Sequence, residues 1–187
     1  MNEIAQIRIF SVDDHPLLHE GLATVIRHQS DMLMVAEAAN GREAIQRFRE
    51  HVPDVTLMDL RLPDMSGIDA MIAIRSEFPE ARVIILTTFA GEVEIQRALE
   101  AGARAYLLKS MPPKELVEVI REVHSGKKRV PPEIAARLPE HSSDVLGETK
   151  KPFRPEQAVK VSENGEDTSS PGTIQQWVSH FFRRKGR

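Results

Sequence analysis

A doubly wound α/β sheet of five parallel strands is the fold this sequence predicts, and three observations point to it. Over the first 125 residues, short runs rich in Val, Ile and Leu alternate five times with amphipathic stretches. Those runs are mostly apolar without strict alternation, as expected of strands covered on both faces. Polar and charged residues then gather where the runs end, and in such sheets the binding crevice lies beyond the carboxyl ends of the strands.

In chain order the expected strands are 7–12, 33–38, 55–58, 82–87 and 105–108. Each is followed by a helical pattern. Leu18, Leu22, Val25 and Ile26 share one face after the first strand, and Ala44, Ile45 and Phe48 do so after the second. Ile68, Met71, Ile72 and Arg75 follow the third strand; Val93, Arg97 and Leu99 the fourth; Leu116, Val119, Ile120 and Val123 the fifth. This is the periodicity of surface helices with one buried stripe. Pro16 and Pro112 stand where a first helical turn tolerates proline, because the missing N–H has no intrahelical partner there. Strand–helix repetition of this kind builds a parallel sheet with crossover helices.

The chain of 187 residues is long enough for one ordinary domain and a tail, or for two small domains. Hydrophobic residues make up 41% and charged residues 28%, which is enough to build a globular core. With aromatics at only 5%, that core must come from Leu, Ile, Val, Met and Ala. The absence of cysteine excludes a disulfide scaffold, a thiol enzyme and any thiolate metal site. No apolar run approaches the roughly 18 residues of a membrane span, and no basic-then-apolar leader opens the chain, so a cytoplasmic location is expected.

The net charge of −3 argues against a protein that coats nucleic acid. Its distribution is more informative. Residues 1–129 hold 16 basic and 20 acidic residues, whereas from Thr173 onward there are four basic residues and no acidic one. The reading is an acidic domain over 1–125 and a linker over 126–146. The linker carries a short helical stretch at 133–138, with Ile134, Ala135 and Leu138 on one side. Residues 147–172 are polar and without periodicity, and are expected to be disordered. Residues 173–187 are expected to form a short basic amphipathic helix, with Ile174, Trp177, Val178, Phe181 and Phe182 on one face and capping-box spacing between Thr173 and Gln176.

The chemistry gathers at the strand ends. The first strand ends in Asp13 and Asp14, the third in Asp59, the fourth in Thr87 and Thr88, and the fifth in Lys109. Carboxylates converging on one mouth repel one another unless a cation intervenes, and an all-oxygen set suits Mg²⁺. A hydroxyl and an ammonium beside them suit a phosphoryl group, so the implied chemistry is phosphoryl transfer. Taken singly, each residue has an ordinary reading. An Asp after a strand caps the next helix, a Lys there is a surface residue, and Thr is a common strand residue. Their landing together on successive strand ends favours the functional reading. His15 and His19, one helical turn apart, also admit a transition-metal reading. A nucleotide-binding enzyme is disfavoured because no Gly-rich turn follows the first strand, where VDDHP stands. A phosphatase with an Asp nucleophile would need a second acid after Asp59, where Leu60 and Arg61 stand.

The segments VDDHPLLHEGL, LMDLRLPDMSGID, VIILTTFA and AYLLKS resemble the receiver domain of two-component response regulators, most closely the NarL/FixJ (LuxR-type) subfamily. The resemblance covers residues 5 to about 125, and SGKKRVPPEIAARLPEH extends it into that subfamily's linker. It implies a flavodoxin-like receiver fold with Asp59 as phosphoacceptor. Asp13, Asp14, Asp59 and the backbone carbonyl of Arg61 would form the Mg²⁺ site, and Lys109 would contact the phosphoryl group. Thr87 and Tyr106 would be the activation switch, Thr87 swinging to the phosphoryl group and Tyr106 turning inward. Pro63 and Gly67 match the loop after the acceptor, where Gly permits a turn other residues resist. His15 belongs to the family's Asp-Asp-His opening. Arg61 and Phe89 flank the acceptor and switch without activating water, so slow loss of phosphate is expected.

The implied partners are a sensor histidine kinase, or a small acyl phosphate as donor, and a phosphorylation-dependent second copy. The subfamily's DNA-binding domain is the point of departure. After Leu146 there is no Leu-Thr-x-Arg-Glu opening, no Ile-Ala segment and no Thr-Val-x-x-His recognition helix, so direct DNA binding is not expected. A truncated or frame-shifted relative fits this pattern. The tail helix suits docking on its own receiver, on a partner groove or on an anionic membrane surface. A non-phosphorylated receiver-like binding module is the alternative, and the intact set of Asp13, Asp14, Asp59, Thr87 and Lys109 argues against it.

Overall fold

The computed structural model describes residues 6–88 and 91–130. Phe89, the helical stretch expected at 133–138, the polar stretch 147–172 and the tail helix 173–187 lie outside the described residues. The elements alternate as expected: β1 (Ile7–Val12), α1 (Pro16–Arg27), β2 (Met32–Ala38), α2 (Gly41–His51), β3 (Val55–Met58), α3 (Gly67–Glu77), β4 (Val83–Thr87), α4 (Glu92–Glu100), β5 (Ala105–Leu108) and α5 (Pro113–His124). All strand pairs are parallel and the order is β2-β1-β3-β4-β5. Among the described residues no helix is long and apolar enough to cross a membrane.

The two sides of the sheet explain why the strand sequences do not alternate in polarity. Ile7, Ile9, Val55, Leu57, Ile84, Leu86, Ala105 and Leu107 point to one side, where Leu22 and Ile26 of α1 and Leu116 and Ile120 of α5 cover them. Phe10, Val12, Met58, Val83, Ile85 and Tyr106 point to the other, against Phe48 of α2, Met71 and Ile74 of α3, and Ile95 of α4. Both faces are core, so β3 and β4 are buried at every position, while the edge strand β2 exposes Leu33 and Glu37. Few rings are used; Phe48 and Phe78 meet with centroids 5.1 Å apart.

Strand limits depart from the sequence reading where pairing decides them. β2 begins at Met32 because Met32 pairs with Ile7. β4 begins at Val83, the partner of Thr56, while Arg82 supplies only its carbonyl to the Thr56 N–H at 2.9 Å. Pro112 is not in the first turn of α5. It is the residue before the helix, with ψ 142°, because the following Pro113 forces it into an extended conformation. Beyond α5 the chain continues along the free edge of β5. Arg129 bridges to Ala105, and Val130 is buried in the cluster that contains Tyr106.

The strand order sets the location of the site. From β1 the chain builds outward to β2, then returns to place β3 on the other side of β1. The carboxyl ends of β1 and β3 therefore flank the point where strand order reverses, and crossover connections on opposite sides leave a crevice there.

Among the described residues outside glycine, Val52 alone has a positive φ and carries backbone strain. Val52 closes α2 in the left-handed region, at φ 40° and ψ 68°, with its N–H donating to the Phe48 carbonyl at 2.8 Å. A β-branched side chain crowds its own backbone in that region, and Val52 is 50% exposed, so little packing compensates. Val52→Gly is expected to raise the unfolding free energy by about 1 kcal/mol, the relief of strain less the extra chain entropy of glycine. Urea denaturation checks this, and an unchanged or lower midpoint would show that the strain is absent.

Candidate functional site

Three of the strand-end residues are fixed by hydrogen bonds that continue the sheet one step past its strands. The Asp13 N–H donates to the Ala38 carbonyl at 3.0 Å, the Asp59 N–H to the Val12 carbonyl at 2.8 Å, and the Lys109 N–H to the Thr87 carbonyl at 2.7 Å. The side chains converge from there. The Lys109 ammonium lies 2.5 Å from Asp13 Oδ2 and 2.8 Å from Asp59 Oδ2, and all three side chains are buried. Two anions thus share one cation. Burial pushes the Asp59 carboxyl above its ordinary range and the charge of Asp13 adds to this, while Lys109 and the Arg61 N–H oppose it.

Asp14 lies at the exposed rim. His15 spans the pair, with Nδ1 2.7 Å from Asp14 Oδ1 and 3.1 Å from Asp13 Oδ1, and its backbone N–H donates to Asp13 Oδ1 at 3.0 Å. His19 does not join the carboxylates. Its Nε2 faces the Asp13 main-chain carbonyl at 2.6 Å, so it braces the backbone of that residue. The two histidines are therefore not gathered as a ligand pair. Asp13, Asp14, His15 and Asp59 each offer one ligand atom, all within 4.8 Å of one another. Three carboxylates in excess over one ammonium, with an exposed side open to water, fit a hard divalent cation such as Mg²⁺.

The loop after Asp59 is a short hairpin. Arg61 and Ser66 bridge in antiparallel fashion at its base, and the Gly67 N–H donates to the Leu60 carbonyl at 2.9 Å. Arg61 stands at that base, two residues from Asp59, while Pro63 is exposed near the tip. Gly67 is glycine for a different reason from the turn the sequence suggested. Its φ is not positive, unlike those of Gly102 and Gly126. It opens α3, and a Cβ there would lie 1.9 Å from the Asp59 carbonyl oxygen. The helix start presses directly on the backbone of Asp59.

Thr87 ends β4 and is buried, on the same side of the sheet as Val83 and Ile85. Tyr106 pairs with Ile85 and is fully buried on that side, beside Ile95 and Ala98 of α4. The ring is thus already inward. Burial raises its hydroxyl to about 12, with the negative charges of Glu94 and Asp59 adding and Arg61 opposing. The sequence reading did not single out Asp64, although it lies within the segment LMDLRLPDMSGID. The Asp64 carboxylate at the hairpin tip accepts from the N–H groups of Gly41 at 2.7 Å and Arg42 at 2.9 Å, residues 23 and 22 positions upstream.

Comparison with known proteins agrees with this fold. Residues 9–121 match the family profile of the response regulator receiver domain. The chain is 39% identical over 132 residues to the transcriptional regulatory protein LnrK of Bacillus subtilis, covering 71% of this chain and 60% of LnrK. It is 36% identical over 132 residues to the response regulator protein VraR of Staphylococcus aureus, covering 71% of this chain and 63% of VraR. The chain thus spans less than two thirds of either relative. Among solved structures, a two-component response regulator of the LuxR family from Aurantimonas sp. is 40% identical with a TM-score of 0.67, covering 71% of this chain and 95% of that one.

Gly67→Ala is expected to lower the unfolding free energy by about 1–3 kcal/mol, since the clash is with backbone that cannot rotate away. A denaturation midpoint equal to that of the unsubstituted chain would refute the close approach. Tyr106 is the single tyrosine of the sequence, so its ionisation can be followed by near-ultraviolet absorbance. Its folded pKa of about 12 exceeds the unfolded value near 10, so the folded state holds the proton more tightly. This contribution to stability is complete below the unfolded value and falls as pH rises through the folded one. Titration of the folded chain near 10 would place the ring in water.

Proposed function

Because this chain belongs, over residues 9–121, to the response regulator receiver domain family, we propose that it is a phosphorylation-controlled switch of a two-component phosphorelay. Asp59 accepts a phosphoryl group from a sensor histidine kinase or a small acyl phosphate, and the domain changes conformation to control an output. The observation that carries this reading is the buried cluster in which Asp13 and Asp59 share the Lys109 ammonium at the switch point of the sheet. A surplus of buried negative charge around a nucleophilic carboxylate suits a site that receives a metal and a phosphoryl group together. It does not suit a binding module that keeps the fold alone.

In the transfer, a carboxylate oxygen of Asp59 forms a bond to phosphorus as the bond from phosphorus to the donor breaks. From a phosphohistidine the electron pair leaves with the imidazole nitrogen. Lys109 is positioned to hold Asp59 in place and then to donate to a phosphoryl oxygen as the pair with Asp59 loosens. Asp13, Asp14 and Asp59, with the Arg61 carbonyl, would hold the Mg²⁺. When bound, that ion supplies neutralisation of the phosphoryl charge. His15 holds the rim carboxylate of Asp14 toward Asp13. The aspartyl phosphate carries roughly −1.5 to −2 charges and three acceptor oxygens, by analogy with other phosphorylated side chains. The Thr87 hydroxyl donates to one of them, and the space it vacates favours the inward Tyr106 at the face of α4, β5 and α5. Arg61 and Phe89 offer no group that activates water, so self-catalysed loss of the phosphate is slow. The switch operates in the cytoplasm, and its phosphorylated form pairs with a second copy.

Incubation with acetyl phosphate and Mg²⁺ tests the reading. Base-labile phosphate is expected on the wild-type chain only when Mg²⁺ is present, and none on Asp59→Asn. A folded wild-type chain that takes no label would favour the non-phosphorylated binding module.

A further inference from the structure

We propose that Asp64 is a positioning residue for the phosphoacceptor site: by clasping the start of α2 it holds the hairpin that joins Asp59 to α3 in the geometry that binds the metal. The inference rests on the reading of Asp59 as acceptor and adds to it a residue from the opposite end of the loop.

The start of α2 shows why such a clasp forms. A helix leaves its first N–H groups without intrahelical partners. Here Asn40 Oδ1 accepts from the Glu43 N–H at 2.9 Å, and Glu43 Oε2 accepts from the Ala39 N–H at 2.9 Å. This local capping box uses up α2's own capping residues. The N–H groups of Gly41 and Arg42 remain, and Asp64 takes one on each carboxylate oxygen. Desolvation pushes the Asp64 carboxyl up, but the N–H groups of Gly41, Arg42, Asp64 and Met65 outweigh it and hold the group below the usual carboxylate range. The anion is therefore the form that the helix start selects.

A second contact locks the same place. A Cβ on Gly41 would lie 2.3 Å from Cγ of Met65, so the bare glycine backbone is what lets Met65 sit against α2. The tip of the hairpin is thus held twice, at Asp64 and at Met65. Its base is held by the Arg61–Ser66 bridge and by the Gly67 N–H on the Leu60 carbonyl. Held at both tip and base, the hairpin resists displacement of Arg61 and of the Asp59 backbone. Released at the tip, the hairpin keeps only its base, and the Arg61 carbonyl is the nearest metal-facing group to lose its place.

The test compares three variants of the full chain. Asp64→Ala removes both hydrogen bonds, and Asp64→Asn keeps an acceptor for only one. Asn40→Ala removes a cap from the same helix without touching the hairpin. Mg²⁺ binding is measured by isothermal titration with MgCl₂, labelling by acetyl phosphate, and folding by thermal melting. Supporting components around a metal site typically change affinity by tenfold or more, so Mg²⁺ binding is expected to weaken roughly tenfold in Asp64→Ala and less in Asp64→Asn. Labelling should slow in step, while Asn40→Ala lowers the melting point with Mg²⁺ affinity unchanged. Wild-type Mg²⁺ affinity in both Asp64 variants would overturn the proposal. So would an equal loss of affinity in Asn40→Ala, because that would make Asp64 a support of α2 alone. Wild-type chain that binds Mg²⁺ but takes no label would overturn the phosphoacceptor reading and leave the positioning result standing on the metal. Wild-type chain that binds no Mg²⁺ would overturn both.

Discussion

Two buried carboxylates sharing one buried ammonium is the constraint around which the rest of this structure is arranged. Removing a charge from water costs several kcal/mol even after relaxation, and the attraction of the pair offsets this only when the geometry is held closely. Here Lys109 meets Asp13 and Asp59 at the same time, which still leaves one anion in excess. Such an arrangement tolerates no slack, and the fold provides none. Each of the three residues is tied to a neighbouring strand by a backbone hydrogen bond that prolongs the sheet. Strands β1, β3 and β5 deliver them, and two apolar layers clamp those strands from both sides.

The same requirement for close geometry shapes the loop beyond Asp59. Gly67 presses on the Asp59 carbonyl, Arg61 and Ser66 close the hairpin, and α2 grips its tip through Asp64. On the other side of the site, Thr87 and Tyr106 point to the α4 side of the sheet, on adjacent strands. Tyr106 is buried in the same cluster as Ile95 and Ala98 of α4, so the α4 side of β5 holds a buried phenol. Val130, just past α5, belongs to the same buried cluster, which brings the start of the C-terminal segment next to the proposed switch.

Much of this could be read from the residues. The limits of β1, β3 and β5 coincide with the apolar runs at 7–12, 55–58 and 105–108, because those runs are bounded on both sides by residues that end a strand. β2 and β4 differ by one residue at their starts, where pairing with Ile7 and Thr56 decides the boundary. Asp13, Asp59 and Lys109 were legible as a group since strand ends in a parallel sheet share one mouth. Gly67 was legible as a glycine that mattered but not for its reason, because a close approach to Asp59 is invisible to a reading based on turns. His15 and His19 looked alike in sequence, yet one reaches the carboxylates and the other turns to a carbonyl.

The sequence by itself determined the order of elements, the two-sided burial of the strands and the identity of the charged residues at their ends. These follow from local patterns: the period of apolar residues, the placement of Pro and Gly, and the repetition of strand and helix. Only the tertiary structure decided which side chains meet. That Lys109 falls between Asp13 and Asp59, that Asp64 finds the open N–H groups of α2, and that Tyr106 lies inward against α4 all depend on distances between residues far apart along the chain. No local pattern encodes such distances, because they arise only when the strand order places β3 beside β1 and the helices close over both faces.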